Sequence, residues 1–159
     1  MGLITLDRAR AHVRVEDDYP ADQLQAALDG AQDAAEAYLN RRIYEDAAVL
    51  AAERTAYPDA IGDAAAMRDE ALASAMFIEG TEQRTAAILL AKTVYQDGVA
   101  AAERCIYGVV ANPSIVSAIL LTFGHLYANR SDVVVGAQVA ELPHGAKALL
   151  RPYRRVMMP

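Results

Sequence analysis

The stretch Asn112-Pro113-Ser114-Ile115-Val116-Ser117-Ala118-Ile119-Leu120-Leu121-Thr122-Phe123-Gly124-His125-Leu126-Tyr127-Ala128-Asn129 decides the fold class. Asparagine followed by proline is a strong helix start. The asparagine side chain can accept from a free amide of the first turn, and proline suits the first helical position, where no amide hydrogen is needed. Val116, Ile119, Leu120, Phe123, Leu126 and Tyr127 recur at steps of three and four, which predicts a central core helix with a wide apolar face. The most apolar part, Pro113 to Phe123, is shorter than the ~20 residues a bilayer span needs, so the expectation is a soluble protein with no membrane contact.

Working back from Asn112, a long helix is predicted from Glu82 to about Tyr107, with Ile88, Ala91, Tyr95, Val99, Ala102 and Ile106 near a heptad rhythm. Gly108 can end it. Between Glu45 and Gly80 the pattern is weaker. Tyr57-Pro58-Asp59 and Gly62 are expected to break it, leaving a helix from Asp63 to Phe77 through Met67, Ala71 and Ala75. The two segments together predict an alanine-rich helical hairpin at about 45–110. Nearer the start, Thr5 can cap a helix from Leu6 to Val13. After Asp17-Asp18-Tyr19-Pro20, Leu24, Leu28, Ala31, Ala35, Tyr38 and Leu39 form one stripe of a helix from Ala21 to Asn40. Beyond Asn129, Val133-Val134-Val135-Gly136 reads as extended and Leu142-Pro143-His144-Gly145 as a turn. A last helix, Ala146 to Leu150, is expected to stop before Pro152.

Composition supports an all-α reading. Of 159 residues 34 are alanine, tryptophan is absent and there are two phenylalanines; alanine is the best helix former, whereas strands want β-branched and aromatic side chains. A hydrophobic content of 54% with 23% charged residues is enough to bury a core and argues against disorder. The expected architecture is one domain, a small helical bundle with an inserted or appended α-hairpin. The single cysteine, Cys105, excludes an internal disulfide and reads as a small core residue. The opening Met1-Gly2-Leu3-Ile4-Thr5-Leu6-Asp7-Arg8 lacks the basic-then-apolar order of a secretory signal.

No catalytic signature is present. His12, His125 and His144 are far apart with no ligand at zinc-like spacing, and Glu16-Asp17-Asp18 with Asp22 lacks the alternation and glycine of a calcium loop. There is no nucleophile elbow, phosphate-binding glycine loop or dinucleotide fingerprint. The reading is therefore a non-enzyme with no cofactor and no metal.

Two segments remain unusual. Gly124, His125, Tyr127, Asn129 and Arg130 cluster at the end of the apolar helix. They read either as close packing with satisfied polar tips or as a subunit contact, since tyrosine and arginine are enriched at interface anchors. The tail Tyr153-Arg154-Arg155-Val156-Met157-Met158-Pro159 mixes apolar and basic groups, which suits a peptide that docks in a partner's groove. Charge is asymmetric: residues 142–159 carry +4, while residues 1–141 carry −10 within a total of −6. Such an acidic body does not suit a protein that reads DNA sequence, which needs a basic face for phosphates.

Ile4-Thr5-Leu6-Asp7-Arg8-Ala9-Arg10-Ala11-His12-Val13-Arg14-Val15, leading to Ala37-Tyr38-Leu39-Asn40-Arg41, resembles the head–tail connector (adaptor) proteins of tailed bacteriophages and prophages. So does Ala118-Ile119-Leu120-Leu121 running through Gly124-His125-Leu126-Tyr127-Ala128-Asn129-Arg130 to Leu142-Pro143-His144-Gly145 and Leu149-Leu150-Arg151-Pro152-Tyr153-Arg154. The second stretch is the more specific in its order. Shorter members of that family pass from the second helix to the Asn-Pro helix by a brief loop, so segment 45–110 reads as an insertion.

The resemblance implies a structural virion subunit at the capsid portal vertex, made in the host cytoplasm. It would form a ring with copies of itself, commonly twelve, beneath the portal protein, and would extend the DNA channel. It would also present a platform for the next head-completion (stopper) protein or the tail. The tail segment Tyr153, Arg154, Arg155, Val156, Met157 and Met158 would then dock on the portal. Packaged DNA would pass without sequence-specific binding along an acidic wall, for which Asp17, Asp18, Glu45 and Asp46 are candidates. The other reading is a small helical DNA-associated regulator or antitoxin-like module, using Arg8, Arg10, Arg14, Arg41 and Arg42.

Overall fold

A computed structural model describes residues 3–15, 19–129 and 143–156. The helices are α1 (Leu6–Val13), α2 (Ala21–Leu39), α3 (Ala47–Ala75), α4 (Thr81–Ile106), α5 (Pro113–Ala128) and α6 (His144–Leu150), followed by a single 3-10 turn, Arg151–Tyr153. Two short strands, β1 (Ile43–Tyr44) and β2 (Val109–Val110), pair in parallel with Ile43 opposite Val109 and Tyr44 opposite Val110. Among the described residues the protein is all-α apart from this pair. The chain divides into a body, residues 1–46 with 109–159, and a hairpin, residues 47–108.

The body is built around α5. Its start follows the Asn-Pro signal: Asn112 Oδ1 accepts from the Ile115 amide at 3.0 Å, with Pro113 in the first turn. Ile115, Ala118, Ile119 and Phe123 are fully buried, and Leu120 and Thr122 nearly so. Against them lie Leu24, Leu28, Ala31, Ala35 and Leu39 of α2, the stripe expected from spacing, together with Ala9 of α1 and Ala146 and Leu150 of α6. Tyr38 is half-buried at the edge of this core and Leu126 is exposed. Thr5 caps α1 as expected, accepting from the Arg8 amide at 3.4 Å. Helix α2 ends at Asn40, which takes the left-handed conformation (φ 54°) that asparagine tolerates better than most side chains.

The strand pair was not legible in the sequence. The Val109 amide donates to the Arg42 carbonyl at 2.9 Å and the Ala111 amide to the Tyr44 carbonyl at 2.8 Å. This two-rung ladder is where the chain leaves the body and where it returns.

The hairpin corrects one expectation. Tyr57-Pro58-Asp59 and Gly62 do not break the segment; α3 runs unbroken for 29 residues with Pro58 inside it. A proline in a helix interior costs about 3 kcal/mol. Here 12 of the 29 residues are alanine, and tertiary support runs the length of the hairpin. Arg54 Nε donates to the Ile106 carbonyl at 3.0 Å at one end, and Arg84 donates twice to the Ile78 carbonyl, at 2.9 and 2.7 Å, at the other. Midway, a Cβ at Gly98 would lie 3.5 Å from the Ala64 Cβ, and the Arg68 guanidinium covers the Tyr95 ring at 4.5 Å. Helix α4 begins and ends within one residue of its expected limits. Helix α6 starts two residues earlier than expected, directly after Pro143. The extended reading of Val133 to Gly136 lies outside the described residues.

Candidate interaction surfaces

Within the cluster at the end of α5, Gly124 and Tyr127 pack inside the body. A Cβ on Gly124 would lie 3.6 Å from Val13 Cγ1 and 3.9 Å from His12 Nε2, so α1 crosses α5 there with room for one methyl group. The Tyr127 ring meets Tyr19 edge-on at 5.5 Å and Phe123 at 6.4 Å. Asn129 Nδ2 donates to the His125 carbonyl at 3.0 Å and lies 3.2 Å from His125 Nδ1, which closes the last turn of α5. His125 and Asn129 are exposed; Arg130 lies outside the described residues.

The C-terminal segment divides. Tyr153 packs against the body's core, the Arg154 guanidinium stacks over the Tyr38 ring at 5.1 Å, and the Arg155 amide donates to the Leu39 carbonyl at 2.9 Å. These three residues form a strap across the end of α2, a local structure the sequence did not announce. Val156 is 77% exposed. Met157 and Met158 lie outside the described residues, as do Asp17 and Asp18. Glu45 and Asp46 are exposed, directly after β1.

Spacing alone did not reveal the gathering of arginines at the end of α2. Arg42 pairs with Glu36 at 3.0 Å, and Glu36 also accepts from the Ile43 amide at 3.1 Å. Arg41 is half-buried and its Nε is buried without a hydrogen-bond partner. Burial lowers the Arg41 pKa, and the nearby charge of Arg155 lowers it further. Of the arginines proposed for DNA binding, Arg8, Arg10 and Arg14 lie on or just after α1, where Arg10 donates to the Tyr19 carbonyl at 3.4 Å.

The hairpin presents an apolar groove of about 480 Å³ between α3 and α4, with Met67, Leu90 and Val94 among its exposed lining residues. No described helix is long and apolar enough to cross a membrane, and the described residues contain no group of three or more potential metal ligands.

What joins these surfaces is a kinship carried by the first part of the chain. A family model described as phage gp6-like head-tail connector protein matches residues 3–96. The chain belongs to that family. The matched region takes in α1, α2, β1, α3 and α4 as far as Gln96. The resemblance read in residues 4–41 falls inside it, and the one read in residues 118–154 falls outside. No curated protein and no solved structure matches the connector significantly. Membership gives this connector a structural part in joining a phage head to its tail, and the family is structural rather than catalytic.

Proposed function

We propose that this connector assembles as a ring beneath the portal at the capsid vertex, commonly of twelve copies. The ring extends the DNA channel and offers a platform to a head-completion or tail protein. The family match over residues 3–96 carries this reading. A ring needs two different, complementary faces on one subunit, and a body with a hairpin inserted between β1 and β2 offers distinct surfaces from which to draw them. The acidic total of −6 also suits a channel wall that does not hold DNA by its phosphates. The docking element for the portal begins at Val156 and includes Met157 and Met158, because Tyr153 to Arg155 serve the body's own fold.

The test is to add the purified full chain to portal-bearing, DNA-emptied heads and to image the vertex by electron microscopy. A ring of added density around the DNA exit is expected. Heads that remain unchanged at saturating protein would overturn the proposal. A shift assay at low salt, in which duplex DNA is retained through Arg8, Arg10 and Arg14, would favour the DNA-associated module instead.

A further inference from the structure

The groove between α3 and α4 is apolar surface that the hairpin does not cover itself. Its floor is made of small residues, Ala64, Ala71, Ala87, Ala91 and Gly98. Its walls are Met67, Leu90 and Val94, which are 65%, 64% and 50% exposed. Among the described residues of the hairpin, the buried hydrophobic ones are Leu50, Ala75 and Ala91, so the larger groove residues are left for something else to cover. The groove runs from Ala64 to Ala75 on α3 and from Ala87 to Gly98 on α4, roughly 17 Å at the helical rise. Its rims are acidic. Asp63 and Glu70 flank Met67 along one row of α3, and Asp97 follows Val94 by one turn on α4. All three are exposed, and none makes an ion pair among the described residues. The basic residue of the lining, Arg68, is held by Asp69 at 2.7 Å and lies over the Tyr95 ring.

We propose that this groove is the docking site for a basic amphipathic helix of a partner protein. A helix of about three turns fits its length. The apolar face of that helix lies on the alanine and glycine floor between Met67, Leu90 and Val94, and its lysines or arginines reach the acids of the rims. The flexible thioether of Met67 adapts to the side chain it meets. Charge decides the occupant. The hairpin carries nine acidic and five basic residues. A second copy of the same groove would set Asp63, Glu70 and Asp97 against their own kind, and juxtaposed like charges oppose a contact. The chain's own basic C-terminal segment is already engaged, with Arg154 over the Tyr38 ring and the Arg155 amide on the Leu39 carbonyl. Duplex DNA and anionic lipid are repelled by the same rims. The groove lies within the hairpin, so the inference does not depend on the ring reading.

The probe is a fluorescein-labelled amphipathic peptide of about 14 residues, leucine along one face and lysine along the other, titrated with the full chain and read by anisotropy. Its control carries glutamate in place of lysine. Saturable binding of the lysine peptide alone, weakening as salt is added, is expected. Met67→Gln with Leu90→Gln removes apolar contact at exposed positions and leaves the charge unchanged. This groove variant should raise the dissociation constant about tenfold with an unaltered thermal melt. Asp63→Asn with Asp97→Asn should weaken binding and flatten its salt dependence. A lysine peptide that does not saturate, or that binds the groove variant as tightly as the wild type, overturns the proposal, as does equal binding of the glutamate peptide. If the groove variant melts early, the rim variant decides, and unchanged binding there overturns the proposal. Sedimentation velocity and flotation with phosphatidylserine vesicles test the other occupants. A dimer, or a vesicle-bound fraction, that Leu90→Gln abolishes gives the groove to a second copy or to a membrane and overturns the partner helix. Peptide binding without ring density on portal-bearing heads refutes only the ring, and rings without peptide binding refute only this inference.

Discussion

Removing the last seven residues, Tyr153 to Pro159, should destabilise the body measurably, whereas removing only Val156 to Pro159 should not. The structure supplies the magnitudes. Tyr153 is half-buried against the core, and recovering about half the burial of a large side chain contributes roughly 1 kcal/mol. Arg154 stacked at 5.1 Å over Tyr38 contributes about 0.5–1 kcal/mol at a solvent-facing site. The Arg155 amide bonded at 2.9 Å to the Leu39 carbonyl contributes about 1 kcal/mol net, and its loss leaves a helix-terminal acceptor to water. The longer deletion should therefore cost roughly 2–3 kcal/mol. At a slope of about 1–3 kcal/mol per molar urea the midpoint falls by roughly 1–2 M. Val156, 77% exposed, has little burial to lose. Because the chain has no tryptophan, far-UV circular dichroism is the appropriate probe. Equal midpoints for the two truncations would show that the strap contributes nothing and that the division of the tail at Val156 is mistaken.

Phe123→Ala removes a fully buried ring from the centre of the body and should cost about 3–5 kcal/mol; a urea midpoint close to the wild type would mean that α5 is not the core helix. Gly124→Ala should stabilise by about 0.5–1 kcal/mol, because the added methyl meets Val13 only at 3.6 Å and helix interiors disfavour glycine. Gly124→Leu should destabilise by at least ~1 kcal/mol through collision with His12 and Val13, and a thermal melt that ranks leucine above alanine would contradict the packing of α1 on α5.

The elements that could be read in the sequence are those whose signals are local. Thr5 and Asn112 each cap a helix through one side-chain oxygen, and the stripe from Leu24 to Leu39 is buried because one face of α2 meets one face of α5. Pro58 misled because the cost of a proline is local, whereas what outweighs it, the Arg54 and Arg68 contacts to α4, depends on residues about thirty to fifty positions away. The strand pair was hidden for the same reason: two residues on each side cannot show a period, and their ladder joins Arg42 and Tyr44 to residues beyond a 62-residue excursion. The strap was hidden because Tyr153, Arg154 and Arg155 look like a free docking peptide until α2 supplies Leu39 and Tyr38 to hold them.

The more specific-looking of the two motif stretches lies outside the region that carries the family match, and the body explains why it looked specific. Gly124 lets α1 approach, Tyr127 closes an aromatic cluster with Tyr19 and Phe123, Asn129 finishes α5, and Leu150 with Tyr153 seals the end of α2. Each residue is tied to a particular place by the folding of this subunit, so their fixed order follows from packing before any partner is considered. Surfaces that serve assembly are under weaker local constraint, since they need charge and reach but no periodic pattern. In a structural protein whose work is done by such surfaces, sequence therefore discloses the fold before it discloses the contacts.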